Sequence, residues 1–183
     1  GKIYGPKQVG LLWRQANVRL RPFIHGGGQE RGLRSGTENV PGVIGFATAL
    51  ELAQRHRKTE TKRLEGLRNG MQRQIVAAIP DVVISGDQKR RLASHLHLSF
   101  PGVDAERLIF ILERQHIYVA TGSACAANAG MRSRVLRAIR LAPDVADGSL
   151  RITLGCLSNQ AICERGTVAI IAAVQSERAR TRR

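Results

Sequence analysis

Aromatic residues are scarce in this 183-residue chain, at 4% of the sequence, although hydrophobic residues together make up 43%. A core of this composition has to be filled by aliphatic side chains, and the length fits one domain or a domain with part of another. No apolar run reaches the roughly eighteen residues that a membrane-spanning helix needs, and no charged-then-apolar signal pattern opens the sequence. The sequence therefore predicts no membrane association.

Acidic residues are also few, because 14 Asp and Glu stand against 29 Lys and Arg, which gives a net charge of +15. A composition this basic suggests a nucleic-acid partner. However, the basic residues are scattered over predicted helix faces, and the aromatic side chains that stack on bases are few. No RNA- or DNA-binding motif is present. Direct nucleic-acid binding is therefore not expected, although a basic RNA-binding module stays open as an alternative.

Cysteine is limited to Cys125, Cys156 and Cys163, whose spacing matches neither a metal site nor an even disulfide framework. A reducing, cytoplasmic setting is the expectation for such a chain. Cys163, and less clearly Cys156, has the surroundings of a buried core cysteine. Cys125 lies in G-S-A-C-A-A-N, which has nothing apolar to pack the thiol. The sequence therefore predicts an exposed, reactive thiol at Cys125.

Alternating strand and helix patterns predict an α/β fold. A long helix is predicted to start at Asn39, just before Pro41, and to end at Pro80. Its charged stretch, residues 55–62, either faces solvent or breaks the helix. The remaining patterns predict strands at 9–13, 82–84, 96–100, 117–120 and 150–154, a second extended segment up to Ile24, and helices at 104–115, 133–139 and 160–174.

A glycine-rich segment, H-G-G-G-Q-E-R-G-L-R-S-G-T, runs from His25 to Thr37 and contains five glycines. Such a run predicts neither a helix nor a regular strand, because glycine favours positive φ and close backbone approach. Its backbone N–H groups need partners, and a bound anion is one that they can accept. An irregular surface loop is the alternative interpretation.

Four motifs in a fixed order carry a resemblance. The chain opens on G-K-I-Y-G-P-K, continues with the 25–37 segment, and later contains T-G-S-A-C, ending at Cys125, and S-L-R-I-T-L-G, ending at Gly155. In this order they resemble the pyridoxal-phosphate-dependent cysteine desulfurases of the NifS/IscS type, within the aminotransferase class V family. The resemblance runs from Lys2 to about Ala173.

The resemblance implies the C-terminal part of a fold-type I pyridoxal-phosphate-dependent transferase, namely a remnant of the large domain and the complete small α/β domain. Residues 1–55 would belong to the large cofactor-binding domain, 56–80 to a connecting helix and 81–175 to the small C-terminal domain. Residues 176–183 would form a basic, disordered tail. The family's ring-stacking histidine and pyridine-nitrogen aspartate have no counterpart in this sequence.

Four site residues are implied by the same resemblance. Lys2 would bind pyridoxal 5'-phosphate covalently, although Gly1 stands where the family has His. Thr37 would contact the cofactor phosphate of the neighbouring subunit in a homodimer formed through the 25–37 segment. Arg151 would hold the substrate carboxylate, and Cys125 would carry the persulfide. Read without the family, Lys2 is an ordinary lysine, Thr37 a helix cap and Arg151 a partner in a structural salt bridge.

The implied activity is removal of sulfur from L-cysteine to give L-alanine and a persulfide on Cys125. An acceptor protein would then take the sulfur for iron–sulfur cluster assembly or tRNA thiolation. The chain alone is expected to be inactive, and the alternative is a non-enzymatic sulfur-relay or scaffold module. No metal site is expected, because His95, His97 and His116 lack metal-ligand spacing and are interpreted as surface or strand positions.

Overall fold

The chain divides into two compact units, Gly1–Lys58 and Thr59–Arg183. A computed structural model describes residues 2–121 and 133–181. The elements in chain order are a 3-10 helix at Glu30–Gly32, α1 at Val40–Ala78, β1 at Val83–Ile84, β2 at His95–Ser99, α2 at Ala105–Glu113, β3 at Ala120–Thr121, α3 at Arg134–Ala138, α4 at Pro143–Asp147, β4 at Ser149–Thr153 and α5 at Gln160–Thr181.

The first unit has little regular structure before α1, and the predicted strand at 9–13 is wrong. Neither that segment nor the one leading to Ile24 forms a β-bridge. A strand has to pair its backbone N–H and C=O groups with a neighbouring strand, and the described part of this unit offers none. The apolar side chains of the segment are accordingly exposed, with Trp13 at 75% and Phe23 at 95%.

Helix α1 begins where the sequence predicts. The Oδ1 atom of Asn39 accepts a hydrogen bond from the backbone N–H of Gly42 at 3.0 Å, which caps the helix and fits Pro41 in the first turn. The helix ends at Ala78, two residues before Pro80. The charged stretch 55–62 does not break the helix. Its side chains face solvent over most of that length.

The second unit is built on a four-stranded antiparallel sheet with the strand order β1-β2-β4-β3. Strands β2 and β4 lie side by side in the centre and alternate between two faces. One face supplies core side chains, namely Leu96, Leu98, Leu150 and Ile152. The opposite face carries His97 on β2, Arg151 on β4 and Ala120 on β3, which the register aligns in one row.

The core of this unit lies between the sheet and three helices. Helix α2 contributes Leu108 and Leu112, α5 contributes Ile170 and Val174, and Ile75 comes from the C-terminal half of α1. The Oδ1 atom of Asp104 accepts the backbone N–H of Glu106 at 2.9 Å, so the predicted cap of α2 is confirmed. The α/β fold is thus confirmed, with an antiparallel sheet.

Helix α5 continues well beyond its predicted end, so the prediction of a disordered tail from 176 is wrong as far as Thr181. The physical reason is Glu177, whose side chain is only 2% exposed and pairs with Arg180 at 2.6 Å and Arg107 at 2.9 Å. Hydrogen bonds from Arg180 and then Arg107 lower the pKa of Glu177 to about 2. This ion-pair cluster links the last turns of α5 to α2.

Two shorter elements also differ from the sequence predictions. Strand β3 is limited to Ala120–Thr121, where the pattern predicts a strand over 117–120. Helix α4, at Pro143–Asp147, has no counterpart among the predictions, because five residues are too few to show helical periodicity. Within residues 2–121 and 133–181, no helix combines the length and apolarity needed to cross a membrane.

Candidate functional site

The opening motif that contains Lys2 packs closely against the first turns of α1. A Cβ atom placed on Gly45 would come within 3.1 Å of Pro6 Cγ, and one placed on Gly42 would come within 2.6 Å of Val9 Cγ2. The two glycines therefore let the segment lie directly on the helix. The Lys2 side chain is exposed, and no carboxylate of the described residues forms an ion pair with it.

The glycine-rich segment is folded around the side chain of Gln29. Its Oε1 atom accepts the backbone N–H of Gly36 at 3.1 Å, and a Cβ atom on Gly27 would lie 2.9 Å from its Nε2 atom. Glu30 and Arg31 both adopt positive φ, of 50° and 57°. Such values are uncommon for residues other than glycine, so the loop holds a specific backbone shape rather than an average one.

Thr37 follows this loop with an exposed side chain. It does not cap α1, because Asn39 provides the cap two residues later. Within the part of the chain that the structure describes, the Thr37 hydroxyl has no hydrogen-bond partner in the molecule. The position of Thr37 is thus that of a free hydroxyl at the end of a shaped loop.

Arg151 projects from the centre of β4 on the face away from the core. It lies opposite His97 of β2 on one side and opposite Ala120 of β3 on the other. Its side chain is exposed. No Asp or Glu among the described residues pairs with it, so the alternative of a structural salt bridge has no partner there.

His97 is the residue that sequence reasoning missed. Both of its ring nitrogens are buried, and neither has a hydrogen-bond partner in the structure described for residues 2–121 and 133–181. Burial, and then the charge of Arg151, lowers the pKa of the His97 imidazole. Only one signal could have pointed to it, namely the alternation H-L-H-L in β2, because the register opposite Arg151 is a long-range property.

The end of β4 is fixed by Arg63 of helix α1. The Nη2 atom of Arg63 donates to the carbonyl oxygen of Gly155 at 3.2 Å, and Nη1 donates to the carbonyl oxygen of Ser158. Glu60 accepts two hydrogen bonds from the same guanidinium, at 2.7 and 2.8 Å, which raises the pKa of Arg63. These contacts hold the strand that carries Arg151 against the helix.

The predictions for the three cysteines have different outcomes. The prediction for Cys125 lies outside the described residues, although β3 ends at Thr121, four residues earlier in the sequence. Cys163 is buried in the core as predicted, and burial raises the pKa of its thiol. Cys156 is exposed, so its interpretation as a core cysteine is wrong. Residues 2–121 and 133–181 contain no cluster of three or more side chains suited to a metal ion.

The structure therefore brings together some of the predicted residues and not others. In the second unit, Arg151 lies in one row with His97 of β2 and with Ala120 of β3, the strand that precedes Cys125 in the sequence. In the first unit, the opening motif lies on α1, and the shaped loop ends at Thr37 before that helix begins. The predicted site residues that the structure describes thus fall into two sets, one in each unit.

Pyridoxal phosphate requires an amine for its aldehyde and hydroxyl or N–H donors for its phosphate. The exposed amine of Lys2 and the exposed hydroxyl of Thr37 are donors of these kinds, and no described side chain engages either of them. The donor set thus fits the cofactor at these two positions.

Comparison with known proteins settles the family. The profile described as aminotransferase class-V matches residues 1–165. The chain belongs to the aminotransferase class-V family. It is 42% identical over 161 residues to the cysteine desulfurase IscS of Clostridium botulinum, covering 87% of this chain and 41% of that protein. It is 41% identical over 154 residues to the IscS of Dictyoglomus turgidum, covering 84% of this chain and 39% of the relative.

The family fold is confirmed by solved structures. A NifS-like protein superimposes with a TM-score of 0.83 at 33% sequence identity, and the match covers 95% of this chain and 44% of that one. This member of the class-V family thus shares its architecture with a NifS-like relative over nearly its whole length. The chain spans about two fifths of the length of the curated relatives that it matches, at 41% and 39%.

Proposed function

We propose that this chain is part of a cysteine desulfurase of the NifS/IscS type, which uses pyridoxal 5'-phosphate to convert L-cysteine to L-alanine and a persulfide on Cys125. The proposal is carried by Arg151, an exposed arginine without a described carboxylate partner, on the strand that pairs with β3. In the sequence, β3 is followed by the Cys125 motif. Similarity to proteins named cysteine desulfurase supports the same activity.

Lys2 and Arg151 would have separate roles toward the substrate. Lys2 would hold the cofactor, and its amine, once released, would move the proton of the substrate Cα as a general base. Arg151 would bind the substrate carboxylate through two parallel hydrogen bonds, which the guanidinium geometry favours. Thr37 would donate its hydroxyl hydrogen to the phosphate of a cofactor in the second subunit of a homodimer. The cofactor, when bound, supplies an electron sink next to Cα.

Cys125 would take the sulfur. Its thiolate attacks the substrate sulfur, so that an S–S bond forms and the C–S bond breaks. The electron pair of the C–S bond returns to the substrate Cβ, where a proton replaces the sulfur and gives alanine. The persulfide then passes to an acceptor protein in the cytoplasm, for iron–sulfur cluster assembly or tRNA thiolation. This transfer needs no external oxidant, because the substrate Cβ keeps the electron pair of the C–S bond and is reduced to the methyl group of alanine while the two sulfurs join.

The chain alone should turn over little or no cysteine. It spans 41% of the length of the Clostridium botulinum relative, and the family histidine and aspartate that hold the cofactor ring have no counterpart in it. The contrasting possibility is a sulfur-relay or scaffold module, in which Cys125 receives sulfur from another protein. That possibility predicts persulfide on Cys125 without any dependence on Lys2.

The test is a chimera that joins this chain to the part of the Clostridium botulinum IscS that it does not match, in the order of that relative. With pyridoxal phosphate and L-cysteine, the chimera should form alanine and a persulfide on Cys125. Lys2→Ala should lower alanine formation by at least about 100-fold, because a general base and cofactor anchor are lost together. Lys7→Ala, in the same motif, is the matched control and should keep most of the activity.

Cys125→Ala should abolish persulfide on the protein, whereas Cys156→Ala, which removes an exposed thiol elsewhere, should leave it intact. Alanine formation that survives Lys2→Ala would contradict the assignment of Lys2. Persulfide on Cys125 that forms only when a separate desulfurase is added, and regardless of Lys2, would favour the relay module over the enzyme.

A further inference from the structure

His97 and Arg151 form a cross-strand pair on the exposed face of the central strands. The register places them directly opposite each other in the antiparallel β2–β4 ladder. Side chains at such positions start from Cβ atoms about 5 Å apart, so an imidazole and a guanidinium there can reach each other. His97 is half-buried and Arg151 is exposed, which leaves Arg151 as the partner that can change its rotamer.

The ring nitrogens of His97 are in an unusual state. Buried polar atoms nearly always have a hydrogen-bond partner, and those that lack one call for an explanation. Both His97 nitrogens are buried and unpartnered in the described structure. Among the described residues, Arg151 lies directly opposite His97 on β4 and is therefore the candidate partner.

The charge state of His97 determines whether its ring can accept a hydrogen bond from a partner. Burial and the neighbouring Arg151 cation lower the pKa of the imidazole, so the neutral ring is favoured. A neutral imidazole has one nitrogen that accepts a hydrogen bond. A guanidinium has five N–H donors and no acceptor, so Arg151 can donate one N–H to His97 and keep others for a ligand.

We propose that His97 is a positioning residue for Arg151, whose guanidinium donates a hydrogen bond to the His97 ring when a carboxylate binds. The inference rests on the proposed function, in which Arg151 holds the substrate carboxylate. The hydrogen bond fixes the plane of the guanidinium, so that less rotamer freedom is lost when the carboxylate arrives. Carboxylate binding thereby brings the Arg151 guanidinium into hydrogen-bond contact with the buried acceptor nitrogen of His97.

The experiment titrates the 183-residue chain, labelled with isotopic histidine, with sodium propionate and follows the His97 ring signals by NMR. Sodium chloride at matched ionic strength controls for screening. The ring signals should move and saturate with propionate only. His97→Leu, which keeps bulk but removes the acceptor, should weaken propionate binding by about fivefold, the value of one hydrogen bond.

His97→Gln should restore binding to within about twofold, because its amide oxygen can accept the same N–H. His95→Leu is the matched control, since His95 lies on the same strand and face but opposite Thr153. It should bind propionate as the unmodified chain does. An amide spectrum of each variant checks that the second unit is folded. If His97→Leu is not folded, the propionate affinity of His97→Gln tests the inference instead.

Four results would overturn the inference. If His97→Leu binds propionate normally while Arg151→Ala does not bind it, His97 has no role and the Arg151 assignment stands. If the folded Gln variant fails to restore binding, the acceptor is not what His97 provides. If propionate binding survives Arg151→Ala, or the unmodified chain shows no saturable shift, the carboxylate role of Arg151 fails together with the inference.

Discussion

The two units of this chain treat their apolar residues in opposite ways. In the first unit, Phe23 is 95% exposed and Leu12 is 78% exposed, within a segment that pairs with no strand of the described residues. In the second unit, Phe100, Leu98 and Leu108 are completely buried among the sheet and its helices. Apolar side chains are thus buried in the second unit and exposed to solvent in the first.

The difference shows which part of the chain can stabilise itself. Removing apolar surface from water is the main favourable term in folding, and the second unit achieves it with its own residues. The first unit keeps apolar side chains in solvent, which natural surfaces rarely do over a contiguous segment. We therefore expect this exposed segment to be covered in the chimera, whereas the second unit needs no such cover.

The largest effect is expected from emptying the core of the second unit. Phe100→Ala should lower the free energy of unfolding by about 4 kcal/mol, because it removes buried apolar surface and leaves a cavity. Phe23→Ala, the matched change in the first unit, should alter it by less than about 0.5 kcal/mol. Chemical denaturation of the chain measures both, and equal losses would show that Phe23 is packed in solution.

A smaller effect is expected from Gly148, which lies where β4 begins. A Cβ atom there would collide with the carbonyl oxygen of Phe100 and lie 2.8 Å from that of Val103, both of them backbone atoms that cannot move aside cheaply. Gly148→Ala should therefore cost about 2 kcal/mol. Gly70→Ala, in an open position on α1, should stabilise by up to about 1 kcal/mol. A thermal melt that ranks the two variants the other way would contradict this packing.

The smallest effect concerns the ion-pair cluster at the end of α5. Glu177 has a folded pKa of about 2 against an ordinary 4.5, so its contribution is complete above about pH 5 and is lost as the pH falls toward 2. Glu177→Gln should lower the free energy of unfolding by about 1 kcal/mol at pH 7, since both arginine partners are half exposed. The difference from the unmodified chain should shrink on acidification, and a pH-independent difference would exclude the ion pair as its cause.

Local signals in the sequence predicted several elements well. Asn39 before Pro41 gave the start of α1, Asp104 gave the cap of α2, and the alternation around Leu98 gave β2, because each depends on neighbouring residues alone. The site was harder to predict. The motifs identify Arg151, but only the strand register reveals that His97 lies opposite it.

Two of the errors share one cause, which is dependence on distant partners. The segment 9–13 has the composition of a strand, but a strand also needs a neighbour, and local composition does not show whether one is present. The tail after 176 looks like a disordered basic end, but Glu177 is held by Arg107, which is remote in sequence. Both outcomes were decided by tertiary contacts that override local propensity.

Amide hydrogen exchange tests the contrast between the two units most directly. It is measured by mass spectrometry on this chain and on its chimera with the part of the Clostridium botulinum relative that the chain does not match. We predict slow exchange at 95–99 and 149–153 in both proteins, because these strands form the centre of the sheet. We predict fast exchange at 9–24 in the chain alone and slow exchange there in the chimera. Strong protection of 9–24 in the chain alone, or fast exchange of the central strands, would contradict these predictions.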